Sequence, residues 1–273
     1  MNTEKDILFL IESSIKKGNT NIKLFKENLI ANLQKNYSNN DLNNIIQKKL
    51  FEKNIYFIRH AQAIHNVLEV KYKGDIRKYN IYDPELTEKG KNQTKKTIEK
   101  LKNENIIFDS IFISPLSRTI QTYILVKDYL NKNAKVYATD FIREVLSFLD
   151  KNKGIQLSIL KKQLNEYNIN SEYMTKEFWW FDLGENKENE SEGHTRFNLR
   201  LRLFILWLIF RPEKNILIIS HSHVFHALQD NGIYNADLIK MNNTILLVKI
   251  LKLFEDNKVK NKNKSKKKSC NII

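Results

Sequence analysis

Short apolar runs alternate with longer amphipathic stretches over most of the chain. The runs are continuous rather than alternating, which predicts strands covered on both faces of a mainly parallel sheet. They occupy residues 55–58, 111–113, 136–138, 216–219 and 245–248. Between them, apolar residues recur at helical spacing, and helices are predicted over 88–103, 117–131 and 195–210. This alternation predicts a three-layer, doubly wound α/β sheet with helices on both faces.

Two regions depart from the alternation. Residues 1–52 show helical spacing alone, with Lys and Asn on the polar side, and predict a helical N-terminal extension. Residues 141–193 are rich in Glu and Asn and lie between predicted strands. We expect them to form a cap insertion over one edge of the sheet. The predicted organisation is therefore an extension over 1–52, an α/β domain over 53–254 that contains the cap, and a polybasic tail over 255–273.

Three of the predicted strands are followed closely by arginine or histidine. Arg59 and His60 follow the first strand, Arg118 comes shortly after the second, and His221 follows a later one. Ligands of an open parallel sheet bind beyond the carboxyl ends of its strands, so these side chains are expected to converge. Arginine offers paired donors that match phosphate geometry, and an imidazole aimed at phosphorus is a nucleophile. The pattern predicts a phosphate site that needs no metal or other cofactor, because Arg and His neutralise the transferring group.

At these positions the sequence resembles the histidine phosphatase (phosphoglycerate mutase-like) superfamily. The stretch 57–66, Phe-Ile-Arg-His-Ala-Gln-Ala-Ile-His-Asn, is similar to the nucleophile motif of that family, in the Arg-His-Ala form of its eukaryotic branch. Four more segments of the chain resemble segments of that family, in the same order: residues 83–90, 114–119, 143–144 and 220–222. The resemblance covers residues 54–250 and implies the α/β fold already predicted.

The resemblance also implies a role for each site residue. His60 would be the nucleophile that forms phosphohistidine, and Glu144 would protonate the leaving oxygen and then take a proton from water. Binding of the phosphoryl oxygens would fall to Arg59, Arg118 and His221, with help from Asn66. The double role of Glu144 predicts a carboxyl whose pKa is raised by burial near a dianion. The expected partner is a small phosphorylated substrate, whose identity the sequence does not give.

Two alternatives to a phosphatase remain open. Ala61 and Ser222 stand where the family has glycine, which favours a scaffold that binds a phosphorylated ligand without turnover. A phosphoglycerate mutase is the second alternative. However, the chain lacks the Glu-Arg-x-Tyr-Gly segment and the His-Gly-Asn run typical of glycolytic mutases, which favours the phosphatase.

The histidines at 221, 223 and 226 also resemble the metal-binding turn of metallo-β-lactamase-like hydrolases. In those enzymes Asp normally stands at the position of Phe225, and further ligands follow downstream. Here no histidine follows His226, so four ligands are not easily assembled. We therefore expect no metal site and interpret His223 and His226 as residues of the next helix.

Almost half of the net charge of +15 comes from lysines in the C-terminal tail. Seven lysines lie between Lys258 and Lys268, and the chain carries no groove-reading motif or stacking platform, so no nucleic-acid partner is expected.

The single cysteine, Cys270, excludes an internal disulfide. It stands fourth from the end behind the lysines, which resembles a prenylation box with a polybasic segment. We expect a cytoplasmic protein held peripherally at the cytosolic face of an anionic membrane.

Overall fold

The computed structural model describes residues 3–16, 22–78, 80–146, 149–180 and 192–254. Within these ranges five strands form one sheet in the order β3-β2-β4-β1-β5. Four neighbouring strands are parallel, and β5 lies antiparallel to β1 at one edge. The strands are β1 (Asn54–Arg59), β2 (Ser110–Ile113), β3 (Lys135–Ala138), β4 (Asn215–Ser220) and β5 (Leu238–Lys240). The predicted mainly parallel α/β sheet is confirmed.

The helices surround this sheet. Those predicted over 88–103 and 195–210 are present within one residue at each end, whereas the one predicted over 117–131 ends at Val126. Thr87 caps the predicted helix at 88, because its hydroxyl accepts a hydrogen bond from the backbone N–H of Gly90. The helices are α1 (Thr3–Lys16), α2 (Ile22–Gln34), α3 (Asn39–Phe51), α4 (Ile64–Lys71), α5 (Glu88–Glu104), α6 (Ser117–Val126), α7 (Leu157–Glu166), α8 (His194–Phe210) and α9 (Ser222–Gln229), and residues 243–254 are helical too. Over the described ranges, no helix combines the length and the apolar character needed to cross a bilayer.

Alternate strand residues face two apolar clusters, one on each side of the sheet. In β4, Ile216 and Ile218 belong to the first cluster, whereas Leu217 and Ile219 belong to the second. The first cluster also receives apolar residues of α1, α2, α3, α8 and α9, and the second receives residues of α5, α6 and α7. Burial on both faces explains why the strand sequences are continuously apolar.

The N-terminal helices share a core with the sheet. α1, α2 and α3 all contact α8, and their apolar residues belong to the first cluster. A buried guanidinium adds ion pairs to this core. Arg211 lies 2.9 Å from Glu12 of α1 and 2.9 Å from Glu213, and it packs over the ring of Tyr137. The predicted helical extension is thus packed against the α/β core.

The predicted strand over 245–248 is wrong, because these residues are helical. Leu246, Ile250 and Leu253 are buried at spacings of four and three residues, while Val248 is 54% exposed. A run of four apolar residues fits a buried strand and the inner face of a helix equally well, so the local pattern could not separate them. The strand that completes the sheet is instead the short β5.

The predicted cap insertion contains a buried tryptophan. Trp179 is buried, and its indole N–H donates to the carbonyl of Ile155 at 2.8 Å. Its ring lies so close to Gly154 that a side chain there would collide with it. Residues 147, 148 and 181–191 of the insertion lie outside the described residues, as do the polybasic run, Cys270 and the rest of the predicted tail.

Candidate active site

The carboxyl ends of β1, β2 and β4 bring His60, Ser114 and His221 together. The backbone N–H of His60 donates to Ser220, and that of Ser114 donates to Ile219, so the strand ladders continue past the last strand residues. The rings of His60 and His221 lie with centroids 5.2 Å apart, and His221 Nε2 is 2.7 Å from the hydroxyl of Ser114. The predicted convergence of the two histidines is therefore present.

His60 is oriented so that its Nε2 has no hydrogen-bond partner in the part of the chain that the structure describes. Its Nδ1 lies 2.7 Å from the carbonyl oxygen of Ala61, which can only accept, so Nδ1 carries the ring proton and Nε2 keeps its lone pair. Burial lowers the pKa of His60 well below its ordinary value, and the positive charges of Arg118 and Arg59 add to the effect. The imidazole is therefore neutral at physiological pH, as a nucleophile must be.

Arg118 is fully buried beside the histidines and is held by the cap. Its Nη1 donates to the carbonyl of Lys151 at 2.8 Å, and its Nη2 donates to Oδ1 of Asn152 at 3.0 Å. Burial lowers the pKa of Arg118 to about 10, against the opposing charges of Asp83 and Glu144. The guanidinium thus stays charged at neutral pH and supplies a fixed positive group at the site.

Arg59 enters the same cluster from the end of β1. Its Nη1 donates to the carbonyl of Ile233 at 2.9 Å, and burial lowers its pKa. Three buried nitrogens of the two arginines and His221 have no hydrogen-bond partner among the described residues: Nε of Arg59, Nε of Arg118 and Nδ1 of His221. Nδ1 of the neighbouring His65 is a fourth. Leaving a buried polar group unpaired costs about 1–3 kcal/mol, so this arrangement is suited to a ligand with several acceptor oxygens.

Asn66 lies beside the cluster but its amide is engaged locally. Its Oδ1 accepts from the backbone N–H of Ala63 at the start of α4, and its Nδ2 is 3.0 Å from Nε2 of His65. His65 is buried with its ring centroid 5.8 Å from that of His60, and burial lowers its pKa to about 2, with Arg118, Lys151 and Arg59 adding to the effect. Asn66 therefore orients the neutral His65 ring against the nucleophile.

Glu144 is buried at the site with both carboxylate oxygens occupied. Its Oε1 accepts from the backbone N–H of Val145 at 2.8 Å, and its Oε2 lies 3.2 Å from Nδ1 of His223. Burial raises the pKa of Glu144, but the hydrogen bond and the charge of His223 outweigh it, and the pKa is lowered overall. The sequence predicted a raised pKa for Glu144, and this prediction was wrong. His223 belongs to α9, so the local sequence around Glu144 could not show this contact.

The segment 83–90 contacts the elements that carry the site residues. Asp83 accepts hydrogen bonds from the backbone N–H and the hydroxyl of Ser117, and so fixes the start of α6, the helix that carries Arg118. Burial raises the pKa of Asp83 to about 6, although Arg118 and Ser117 oppose the rise. Gly90 is required because a side chain there would collide with the carbonyl oxygen of Gln62, next to the nucleophile loop. These contacts give the segment a structural purpose.

Several residues that support the site could not be identified from the sequence alone. The hydroxyl of Thr122 accepts from the backbone N–H of Ala61, and Nδ2 of Asn235 donates to the carbonyl of His60, both at about the ordinary hydrogen-bond length. Asn152 joins Arg118 to the carbonyl of Val145, to which its Nδ2 donates at 2.8 Å. None of these residues stands in a recognisable motif, since each reaches the site only through the fold.

The three histidines of the metal-like pattern have different surroundings. His221 contacts Ser114, His223 contacts Glu144, and His226 is exposed further along α9. Within the part of the chain that the structure describes, no group of three or more His, Cys, Asp or Glu side chains is arranged to hold a metal ion.

Comparison with known proteins gives a consistent set of similarities. The sequence model of the histidine phosphatase superfamily (branch 1) matches residues 55–244. Phosphoglycerate mutase-like protein 1 of Arabidopsis thaliana is 26% identical over 204 residues, which cover 65% of this chain and 72% of that protein. Two solved structures each cover 68% of this chain with a TM-score of 0.44. They are the alpha-ribazole phosphatase from Shigella flexneri, with 20% identity and 88% of its length covered, and the ecdysone phosphate phosphatase from Bombix mori, with 12% and 87%.

Proposed function

Because this chain belongs to the histidine phosphatase superfamily, we propose that it hydrolyses phosphate monoesters through a phosphohistidine formed on His60. The observation that carries this proposal is the neutral His60 ring, with Nε2 free, beside three buried nitrogens without partners among the described residues. Two of them belong to the guanidinium groups of Arg59 and Arg118 and the third to His221. Charge-assisted hydrogen bonds to phosphate oxygens contribute about 1.5–3 kcal/mol each, so these groups together favour a phosphoryl dianion.

The reaction proceeds in two transfers. Nε2 of His60 attacks phosphorus, the bond from phosphorus to the ester oxygen breaks, and the leaving oxygen takes a proton from Glu144. A water molecule then attacks phosphorus, the nitrogen–phosphorus bond breaks, and the water gives a proton to Glu144. Arg59, Arg118 and His221 bind the non-bridging oxygens in both transfers. The guanidinium charges provide the stabilisation that a metal ion supplies elsewhere, and activity is therefore expected to persist in EDTA.

The test is hydrolysis of an aryl phosphate by the purified chain and by its His60→Ala variant. The variant should lose activity on the order of a thousandfold or more, because the nucleophile is removed. Acid-labile phosphate should be trapped on the wild-type chain and not on the variant. His226→Ala is the matched control, since it removes an exposed histidine from a neighbouring helix.

Three outcomes would redirect the proposal. Full activity of His60→Ala together with inhibition by EDTA would support a metal-dependent hydrolase. Exchange between 2- and 3-phosphoglycerate with little release of phosphate would support a mutase, the activity that the name of the Arabidopsis relative suggests. Phosphate binding without turnover or trapped phosphate would support a scaffold, for which Ala61 in place of glycine remains the argument.

We propose further that the protein acts at the cytosolic face of a membrane. The support is in the sequence alone: Cys270 stands fourth from the end, directly behind the lysines between Lys258 and Lys268. One lipid chain attaches a protein only weakly, whereas a lipid and a polybasic segment together give stable attachment to an anionic surface.

A further inference from the structure

The carboxyl of Glu144 contacts a side chain that is largely exposed to solvent. Glu144 is buried, and its Oε1 is bound by the backbone of Val145. Its Oε2 faces Nδ1 of His223, whose side chain is 68% exposed. His223 therefore lies between this carboxyl and bulk water, with its Nδ1 3.2 Å from Oε2.

Cations surround the pair formed by Glu144 and His223. Arg118 acts on Glu144 from α6, while Lys151 of the cap and Arg59 of β1 act on His223. All three are cations: Lys151 and Arg59 oppose a proton on His223, and Arg118 opposes one on Glu144. The hydrogen bond with Glu144 nevertheless raises the pKa of His223 above its ordinary value, while that of Glu144 is lowered. The resting pair therefore keeps its proton on the exposed imidazole rather than on the buried carboxyl.

A carboxylate that is ionised at rest cannot by itself protonate a leaving group. The mechanism proposed above asks Glu144 to donate a proton in the first transfer and to accept one in the second. The proton that it donates must come from a neighbour, and the proton that it accepts must leave the buried site again.

We propose that His223 is a positioning residue that stores this proton and relays it between solvent and Glu144. This inference rests on the proposed phosphatase function. In the first transfer the proton passes from Nδ1 of His223 to Glu144 and on to the leaving oxygen as the ester bond breaks. In the second, the proton of the attacking water returns through Glu144 to His223. One proton leaves the pair and one returns, so the cycle is balanced.

The test compares two substrates that differ in their need for a proton. Phenyl phosphate releases a basic phenolate, which requires protonation, whereas 2,4-dinitrophenyl phosphate releases a stable anion, which does not. The variant is His223→Asn, because its amide can donate to the carboxylate but cannot give up a proton. His226→Asn is the matched control, since His226 lies about one turn further along α9 and is exposed as well.

We expect kcat/KM for phenyl phosphate to fall at least about tenfold in His223→Asn, while the value for the dinitrophenyl ester changes less than about twofold. In the wild type, activity on phenyl phosphate should decline as the pH rises through the raised pKa of His223. In the variant that decline should move to lower pH by about one unit or more, because only Glu144 then holds the proton. His226→Asn should behave as the wild type.

Two results would overturn the proposal in distinguishable ways. Equal losses on both substrates with an unchanged pH profile, or no loss on either, would leave the phosphatase function standing and remove the relay. Absence of phosphate release and of trapped phosphohistidine in the wild type would overturn the phosphatase function itself, and the relay with it.

Discussion

At the scale of single residues, the site depends on side chains that hold the charged groups in place. Arg118 carries one of the charges that we propose to bind phosphate, and its orientation is fixed by Asn152 and the carbonyl of Lys151. Asn152 is bonded in turn to the carbonyl of Val145, next to Glu144. A single amide of the cap therefore positions the anion-binding side and the proton-transfer side of the site together.

Replacement of Asn152 by alanine should disturb both sides. A hydrogen bond to a charged group contributes about 1.5–3 kcal/mol, so kcat/KM for an aryl phosphate should fall roughly tenfold to a hundredfold. Steady-state kinetics measure this effect. Asn170→Ala is the control, because Asn170 is exposed in the same insertion and its side chain bonds Glu172. Equal kinetics in the two variants would show that Asn152 does not position Arg118.

At the scale of elements, a buried ion triad joins the cap to α8. Glu192 lies 3.3 Å from Arg143, at the start of the insertion, and 2.7 Å from Arg200 of α8. Arg200 also donates to the carbonyls of Phe141 and Arg143. Arg143 precedes Glu144 in the chain, so this triad fixes the backbone from which the Glu144 carboxyl projects.

The triad predicts a dependence of stability on pH. Burial raises the pKa of Glu192, but Arg143 and Arg200 outweigh it and hold the pKa at about 2, below its ordinary value of 4.5. The depressed pKa contributes stability that is present above pH 4.5 and is lost as the pH falls toward 2. Glu192→Gln should therefore lower the free energy of unfolding by roughly 3 kcal/mol at neutral pH and by progressively less below pH 4.5.

Chemical denaturation at several pH values measures this difference. Glu172→Gln is the control, because its ion pair with Lys16 is exposed and should contribute less than about 1 kcal/mol. A difference between Glu192→Gln and the wild type that stays constant from neutral pH to pH 3 would contradict the prediction.

At the scale of the whole molecule, the charge is unevenly distributed. The seven lysines between Lys258 and Lys268 account for almost half of the net charge of +15, and +8 remains on the rest of the chain once they are set aside. A cationic tail concentrated next to Cys270 is what attachment to an anionic surface requires.

Replacement of Cys270 by serine should move the protein from the membrane fraction to the soluble fraction of prenylating cells, because the lysines alone bind weakly at physiological salt. Fractionation followed by immunoblotting measures the distribution. Ser269→Ala is the control, since it changes the neighbouring residue and keeps the cysteine. An unchanged distribution of Cys270→Ser would remove lipidation from the proposal.

Much of the fold was predictable because it follows from local patterns. The continuous apolar runs at β1, β2, β3 and β4 are where the strands lie, and Thr87 begins α5 as a capping residue should. The pattern failed at 245–248, where four apolar residues belong to a helix. There the choice depends on which neighbouring elements bury each side chain, and that is a tertiary property.

By itself the sequence determined which chemical groups meet. Arg59 ends β1, His60 and His221 follow strands of the same mainly parallel sheet, and Arg118 lies in the first turn of the helix after another strand. Topology alone therefore brings them to one edge. The tertiary structure decided their states of protonation and their orientation. The proton of Glu144 rests on His223, and Arg118 is aimed by Asn152, because a buried charge is set by the groups packed around it and not by its neighbours in the chain.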